Sequence, residues 1–538
     1  MNLLPRTLKN TIALCAIIFL GFVLRFYHLG FPSIGYHNMQ ENVYMGIAHE
    51  MEKTGDYVTK RVYFYDAFGE KTGPKPSPQF PLVSYQTVLS WKFLGENLWG
   101  PRLINVIFGL GGILLIYRIA ILFFTDKRLA LFASLLSAIM PLAVFFSRNL
   151  QPESPALFFM LLGSLFYLRF IPSQKRYNLL FGGLSFLMAW LYKFNFLIGV
   201  FPFLFCFREM ADARNKKKFM SYLSSLVFPF FVIAVFIFLL YRSGQISLNV
   251  DAGRLLRTFL PSYWKEYGRT VWWYIKDENF TPVFITLSLI GMIIAFLKRE
   301  SLVERYIMGW AIAIIPYCIF FSEPISQNNY YQMPFLALVC VSAAYAASFI
   351  SAGIKKVVKR DVVIIVLMAI SVLSIPFVRD SIMRMHSTVF AGVDVAGESL
   401  RDFTKPDERI FLLTHSQGYG IARYAGRYAG WTYDLEDFKD KEKKFGVRYV
   451  CIYPVESVYS LKENSPELFN YIQTNYHMKE AGLTDEPERL FYLILEKGET
   501  PRPQNILESI SGKKYLKTIY RVSGKYIFFY VLKPQGTA

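Results

Sequence analysis

A carboxylate, four cations and a pair of tyrosines are the residues of this chain whose types and spacing could do chemistry. The carboxylate is Glu41, in Gly35-Tyr36-His37-Asn38-Met39-Gln40-Glu41-Asn42-Val43-Tyr44, just after the first apolar stretch. On a helix, Glu41, Tyr44 and Ala48 share one face. An acid held on such a face is a candidate general base. The cations are Arg25, Arg102, Arg148 and Lys193. Guanidinium forks and an ammonium point charge are the groups that bind a phosphate. Lys193 interrupts an apolar run, Trp190-Leu191-Tyr192-Lys193-Phe194-Asn195, where an ammonium is costly unless paired or hydrated, so it marks a functional position. Ser147-Arg148-Asn149-Leu150-Gln151-Pro152-Glu153-Ser154 and Ser326-Gln327-Asn328-Asn329-Tyr330-Tyr331 place further polar residues at the ends of apolar stretches. Glu153 is the candidate ligand for a divalent metal ion, although one acid makes a poor metal site. Plainer roles compete. Glu153 suits the first turn of a helix, where the dipole favours an acid. Arg148 suits a snorkelling side chain, and Tyr330 and Tyr331 suit an interfacial aromatic belt.

The elements that must position these residues are membrane spans. Of 538 residues, 53% are hydrophobic and 17% aromatic, and the mean hydropathy is positive, a balance that excludes an ordinary soluble globule. A sliding window finds about eleven apolar stretches, near 10–28, 102–124, 129–147, 154–171, 179–193, 196–208, 219–241, 282–297, 307–321, 331–352 and 361–378. The first lacks a small-residue cleavage site and reads as a retained helix. The break around Lys193 and Asn195 predicts a broken or hairpin-like helix pair. Basic residues gather in alternate loops (Arg6/Lys9, Lys127-Arg128, Lys175-Arg176, 214–218, Lys298-Arg299, 355–360). That places these loops and the N-terminus in the cytoplasm. Loops 29–101 and 242–281 and the segment 379–538 then lie outside. The two outer loops, rich in aromatics, are expected to pack together around a cavity at the membrane surface. The net charge of +19 comes without a nucleic-acid recognition motif and fits loops facing anionic headgroups. Five scattered cysteines build neither a disulfide framework nor a metal cluster.

After about Asp380 the pattern changes. Strand-like runs at 409–413, 449–453, 489–495 and 526–532 alternate with helical stretches such as Pro466 to Tyr476, predicting a small α/β domain. The fold class is therefore a polytopic α-helical membrane protein of about eleven or more spans (1–378) with a C-terminal extracytoplasmic α/β domain (379–538). That domain holds no nucleophile, metal or nucleotide motif and is expected to cover the cavity or recognise an acceptor.

In order, Gln40-Glu41-x-x-Tyr44, Lys53-Thr54-Gly55-Asp56-Tyr57, Phe80-Pro81-Leu82, Phe93-Leu94-Gly95-Glu96-Asn97, Pro101-Arg102-Leu103-Ile104-Asn105, Ser147-Arg148 and Pro152-Glu153 resemble the GT-C glycosyltransferases. These use polyprenyl-phosphate sugars, and the superfamily includes the protein O-mannosyltransferases and the lipid A aminoarabinose transferase. The similarity covers about residues 10–350. It implies an inner-membrane enzyme that transfers a sugar from a polyprenyl-phosphate carrier to an extracytoplasmic lipid, glycan or protein. In that family an Asp-Glu pair in the first loop supplies the catalytic carboxylate. Here Gln40 stands at the Asp position and Glu41 at the Glu position, leaving Glu41, or else Asp56, Asp66 or Glu153, as base. Tyr330-Tyr331 matches a tyrosine pair that shapes the lipid-donor site in relatives. With Gln40 and Tyr44, the cations Arg25, Arg102, Arg148 and Lys193, chosen for their anion chemistry, complete the candidate substrate and lipid-phosphate set. Two alternatives remain: a binder of lipid-linked sugar that has lost transfer, which Gln40 makes credible, and a transporter or export component. Transporters usually carry paired repeats and midplane charges, and no repeat is evident.

Overall fold

The computed structural model describes residues 6–58, 60, 62–64, 68, 80–206, 216–243, 256–414, 417–485, 488–498 and 512–534. Asp66 lies outside them. From the N-terminus the helices are α1 (Arg6–Phe26), α2 (Asn38–Thr54), α3 (Leu82–Leu94), α4 (Trp99–Phe123), α5 (Lys127–Ile139), α6 (Pro141–Arg148), α7 (Glu153–Ser173) and α8 (Arg176–Tyr192). A 3-10 segment (Phe194–Leu204) and α9 (Lys216–Arg242) follow. Then come helices Pro261–Trp273, Pro282–Lys298, Leu302–Phe320, Leu336–Val358 and Val363–Ser387. The chain forms two compact units. One comprises Met1–Leu29, Pro76–Val83 and Asn97–Met383; the other comprises Gly30–Lys75, Ser84–Glu96 and Arg384–Ala538.

In the helical unit, seven of the described helices are long and apolar enough to cross a membrane, and two bent helix pairs bring the number to nine. The other two apolar stretches of the sequence become α8, of 17 residues, and the 3-10 segment, of 11, both short for a 30 Å hydrocarbon layer at 1.5 Å per α-helical residue and about 2.0 Å per 3-10 residue. The chain breaks between them at Lys193, which is extended (φ −157°), as the interruption at 190–195 predicts. The α5–α6 pair bends by 54° at Met140 because Pro141 has no N–H for the ladder. Helices α7 and α8 pack closely through glycines. A Cβ on Gly182 would meet the Tyr167 ring at 2.7 Å, and one on Gly163 would meet Phe186 at 2.8 Å and the Gly182 carbonyl at 3.1 Å. Small residues let backbones approach in this way.

In the α/β unit, seven strands form one sheet in the order β2 (Ala429–Gly430), β1 (Ile410–Leu413), β3 (Tyr449–Ile452), β5 (Glu488–Lys497), β4 (Tyr476–Asp485), β7 (Lys525–Lys533), β6 (Lys513–Val522). The first three are parallel and the rest antiparallel. The four strand-like runs of the sequence are β1, β3, β5 and β7, and Pro466–Asn475 is a helix. Each face of the sheet carries its own apolar core. The segment after α1 belongs to one of them. Ile34, Tyr63 and Phe64 are buried among Val393, Ile421 and Ala429, and the amides of Phe390 and Ala429 donate to the carbonyls of Ile34 and Tyr63 at 2.7 Å. Among the described residues all five cysteines are free.

Candidate functional site

In the α/β unit, Glu41 occupies the first turn of α2. The alternation of the helix buries Glu41, Tyr44 and Ala48 together, while Gln40 is exposed. Glu41 is 3% exposed, and its Oε2 accepts a hydrogen bond from the Ser33 hydroxyl at 2.6 Å. The N-cap of this helix is His37, in the left-handed region (φ 54°). A ring of amides frames it. Asn42 Nδ2 donates to the Ser33 carbonyl at 2.9 Å, Asn38 Nδ2 donates to Gln417 Oε1 at 2.8 Å, and Arg423 Nε donates to Asn42 Oδ1 at 2.6 Å. The carboxylate is thus fixed in orientation, which positioned proton transfer requires. Tyr44 accepts from Ser84 Oγ through its carbonyl at 2.9 Å. Asp56 is a surface turn residue that accepts from the Val58 amide at 3.0 Å. The sequence singled out neither Ser33 nor the Asn38/Asn42 pair. Their only signal is helical spacing: Asn38 and Asn42 lie one turn apart, on the face of Glu41.

In the helical unit, the four cations take different partners. Arg25, 1% exposed, donates to the carbonyls of Gly21 (3.1 Å), Ala138 (2.8 Å) and Ser137 (3.2 Å). The Ser137 carbonyl would ordinarily accept from residue 141, which is proline, so the guanidinium replaces the missing donor. Arg102 and Arg148 reach the chain just past α1, donating to the carbonyls of Leu29 (2.8 Å) and His28 (3.0 Å). Arg148 also donates to Asn149 Oδ1 at 3.1 Å.

Lys193 differs. Its ammonium is buried and bonded to Glu153 Oε1, and it lies 4.2 Å and 4.4 Å over the rings of Tyr330 and Tyr331. The glycine contact explains the meeting. Gly163 lies ten residues after Glu153 and Gly182 eleven before Lys193, so antiparallel α7 and α8, crossing at the glycines, bring those two ends level. Glu153 Oε2 has no hydrogen-bond partner among the described residues. Two residues on, Asn195 Nδ2 donates to the Tyr317 hydroxyl at 2.6 Å, and that hydroxyl donates to the Tyr331 carbonyl at 2.5 Å. Asn195 also lines an apolar cavity of about 400 Å3 with Phe194, Leu197, Phe201, Phe230 and Phe320. Among the described residues no three His, Cys, Asp or Glu side chains are grouped to hold a metal, and Glu153 is engaged by Lys193.

Residues 75–243 match the family model described as dolichyl-phosphate-mannose-protein mannosyltransferase. No curated protein sequence matches the chain. Among solved structures, the oligosaccharyltransferase AglB of Archaeoglobus fulgidus, in complex with an inhibitory peptide and a dolichol-phosphate, aligns at 13% identity and TM-score 0.57, covering 92% of this chain and 74% of its own. ArnT of Cupriavidus metallidurans aligns in its apo state at 16% identity and TM-score 0.53, covering 92% and 99%. Bound to undecaprenyl phosphate, ArnT aligns at 15% and 0.51, covering 93% and 100%. A multi-pass helical unit with a C-terminal sheet, the match over 75–243 and these alignments agree with the resemblance read from the sequence: the chain has the GT-C fold of membrane glycosyltransferases.

Proposed function

We propose that the chain transfers a sugar from a polyprenyl-phosphate carrier to a lipid, glycan or protein acceptor on the extracytoplasmic side of the inner membrane. The observation that carries this reading is Glu41, a buried carboxylate held by Ser33 on the first turn of the helix that follows the first span. It acts as the base that takes the acceptor hydroxyl proton. The sugar carbon passes from the carrier phosphate to that oxygen, and the phosphate leaves with its electron pair. Lys193 stabilises the departing phosphate, exchanging Glu153 for the new anion, and the apolar cavity at Asn195 takes a stretch of isoprenoid. The N-terminus lies in the cytoplasm and residues 379–538 lie outside.

The choice between an active enzyme and an inactive binder turns on Gln40 and Glu41. Gln40 is exposed and Glu41 buried, so the acid kept by this chain is the one that the fold orients. Transfer is measured in detergent or nanodiscs with a polyprenyl-phosphate sugar and the native membrane fraction as acceptor. Glu41→Gln is expected to lower the rate about a hundred- to ten-thousand-fold with donor binding unchanged, because the carboxamide keeps the shape but takes no proton. Gln40→Asp is expected to leave the rate near that of the parent. Full activity in Glu41→Gln removes Glu41 from the mechanism. An inactive parent that becomes active in Gln40→Asp establishes the binder instead.

A further inference from the structure

The α/β unit holds a second cavity, of about 460 Å3, lined by residues of helix Val393–Phe403 and of strands β4, β6 and β7. Two irregularities of the sheet fall at its wall. Pairing of β4 with β5 shifts register between Met478 and Glu480. Met478 opposes Leu495 in one core, whereas Glu480 opposes Ile494, which belongs to the core on the other face. Directly opposed residues share a face, so the bulge turns Glu480 out of its expected side and into the cavity. Pairing of β6 with β7 shifts between Leu516 and Thr518, leaving Lys517 as the extra residue at the same cavity. Bulges serve to re-aim a side chain, and two of them converge here.

The polar groups are mixed in sign, and one of them is fixed. Glu480, 2% exposed, is held by the Tyr492 hydroxyl at 2.7 Å, and Gly482 leaves room for that ring, since a Cβ there would meet it at 2.1 Å. Asp402 and Ser399 line the helix side, and Lys517 and Lys533 the sheet side. The apolar walls are Phe403, whose ring stacks on Tyr449 at 6.1 Å, and the exposed Tyr515. Two carboxylates disfavour a phosphate and two ammoniums disfavour a cation. A neutral ring bearing many hydroxyls, with one apolar face for an aromatic side chain, satisfies all of these groups.

We propose that this cavity binds one saccharide residue. That the residue belongs to the acceptor rests on the transfer reading above; that the cavity takes a sugar does not. The test uses the full chain in detergent, without lipid donor, and a panel of methyl glycosides of pentoses, hexoses and N-acetylhexosamines, with inorganic phosphate as the anionic control. Binding is read by calorimetry and saturation-transfer NMR. At least one glycoside is expected to bind saturably, with Kd on the order of 1 mM. The Asp402→Ala/Lys517→Ala double variant, at two exposed positions, weakens it about tenfold or more with an unchanged melting temperature. Binding is retained in Glu41→Gln, whose transfer assay tests the other reading separately. Absence of saturable binding by any glycoside, binding undiminished in the double variant, or phosphate binding in place of sugar overturns the proposal.

Discussion

The helical unit places a buried cation at each of two breaks in its helices. At Met140, where Pro141 ends α5, Arg25 donates to the backbone carbonyls of Ser137 and Ala138. At Lys193, where α8 ends, the ammonium meets a carboxylate and two aromatic rings. The carbonyls at the first break are orphans of the chain geometry and need a donor in every state of the protein. The carboxylate at the second is a charge partner. A cation bound to backbone holds the fold together, whereas the one bound to a carboxylate is the one that, under the proposal above, exchanges its partner for a phosphate. This difference is why Lys193, rather than Arg25, carries the phosphate role in the proposal.

The largest test of that contrast is removal of the lysine. Lys193→Met strands Glu153 in an apolar site and is expected to cost about 3–5 kcal/mol, whereas Lys193→Met/Glu153→Leu restores stability to within about 1 kcal/mol of the parent. Thermal unfolding in detergent reads both. The stable double variant then isolates function: its affinity for polyprenyl phosphate is expected to fall at least tenfold, and an unchanged affinity breaks the phosphate assignment. Next in size is Arg25→Met, which leaves the buried Ser137 carbonyl without a donor at about 1–3 kcal/mol. Its folded fraction should bind polyprenyl phosphate as the parent does. A loss of affinity there with little loss of stability would reverse the two roles. Smaller still is Asn195→Leu, which removes one hydrogen bond to Tyr317 and fills the apolar cavity, at about 1 kcal/mol. If the cavity holds isoprenoid, a long-chain carrier should lose affinity in this variant and a short-chain analogue should not.

The same contrast explains what the sequence could convey. Apolar stretches show the spans because hydropathy is a local property, and the break at 190–195 is legible because Lys193 interrupts the run. The need of Lys193 for a partner is legible as well. That the partner is Glu153, forty residues away on another helix, is not, since it depends on where Gly163 meets Gly182. Arg25, Arg102 and Arg148 look alike in sequence because their carbonyl partners have no sequence signature. In the α/β unit, β1, β3, β5 and β7 are legible as apolar runs. The missed β4 mixes Lys479, Glu480 and Gly482 into a buried strand, and the missed β6 keeps most of its residues exposed. Cross-strand pairing, rather than local propensity, makes both of them strands.

The α/β unit offers a last comparison, between two carboxylates that respond to pH in opposite senses. Burial tends to raise the pKa of Glu496, on β5, but Lys479, Tyr449 and Arg448, at 2.8 to 2.9 Å, outweigh it and hold the group below its ordinary value. Burial dominates at Asp394 and holds its pKa above the ordinary value, despite hydrogen bonds from Tyr520 at 2.5 Å and the Val395 amide at 3.0 Å. Where the folded pKa is lowered, the unfolded chain binds more protons, so stability rises with pH. Glu496 therefore contributes fully above its unfolded value of about 4.3, and the contribution is lost as pH falls through the folded value. Where the folded pKa is raised the sign reverses: Asp394 contributes below about 3.9, and the contribution is lost as pH rises through its folded value. Urea-dependent hydrogen exchange of the β3 amides Tyr449–Ile452, corrected for intrinsic rates, reads the stability of the sheet in the full chain. Glu496→Gln is expected to flatten the acid limb of the profile, and Asp394→Asn, which keeps the Oδ1 acceptor, to raise stability at neutral pH relative to pH 4. A parallel shift of the whole profile in both variants would mean that neither carboxylate titrates differently in the folded unit.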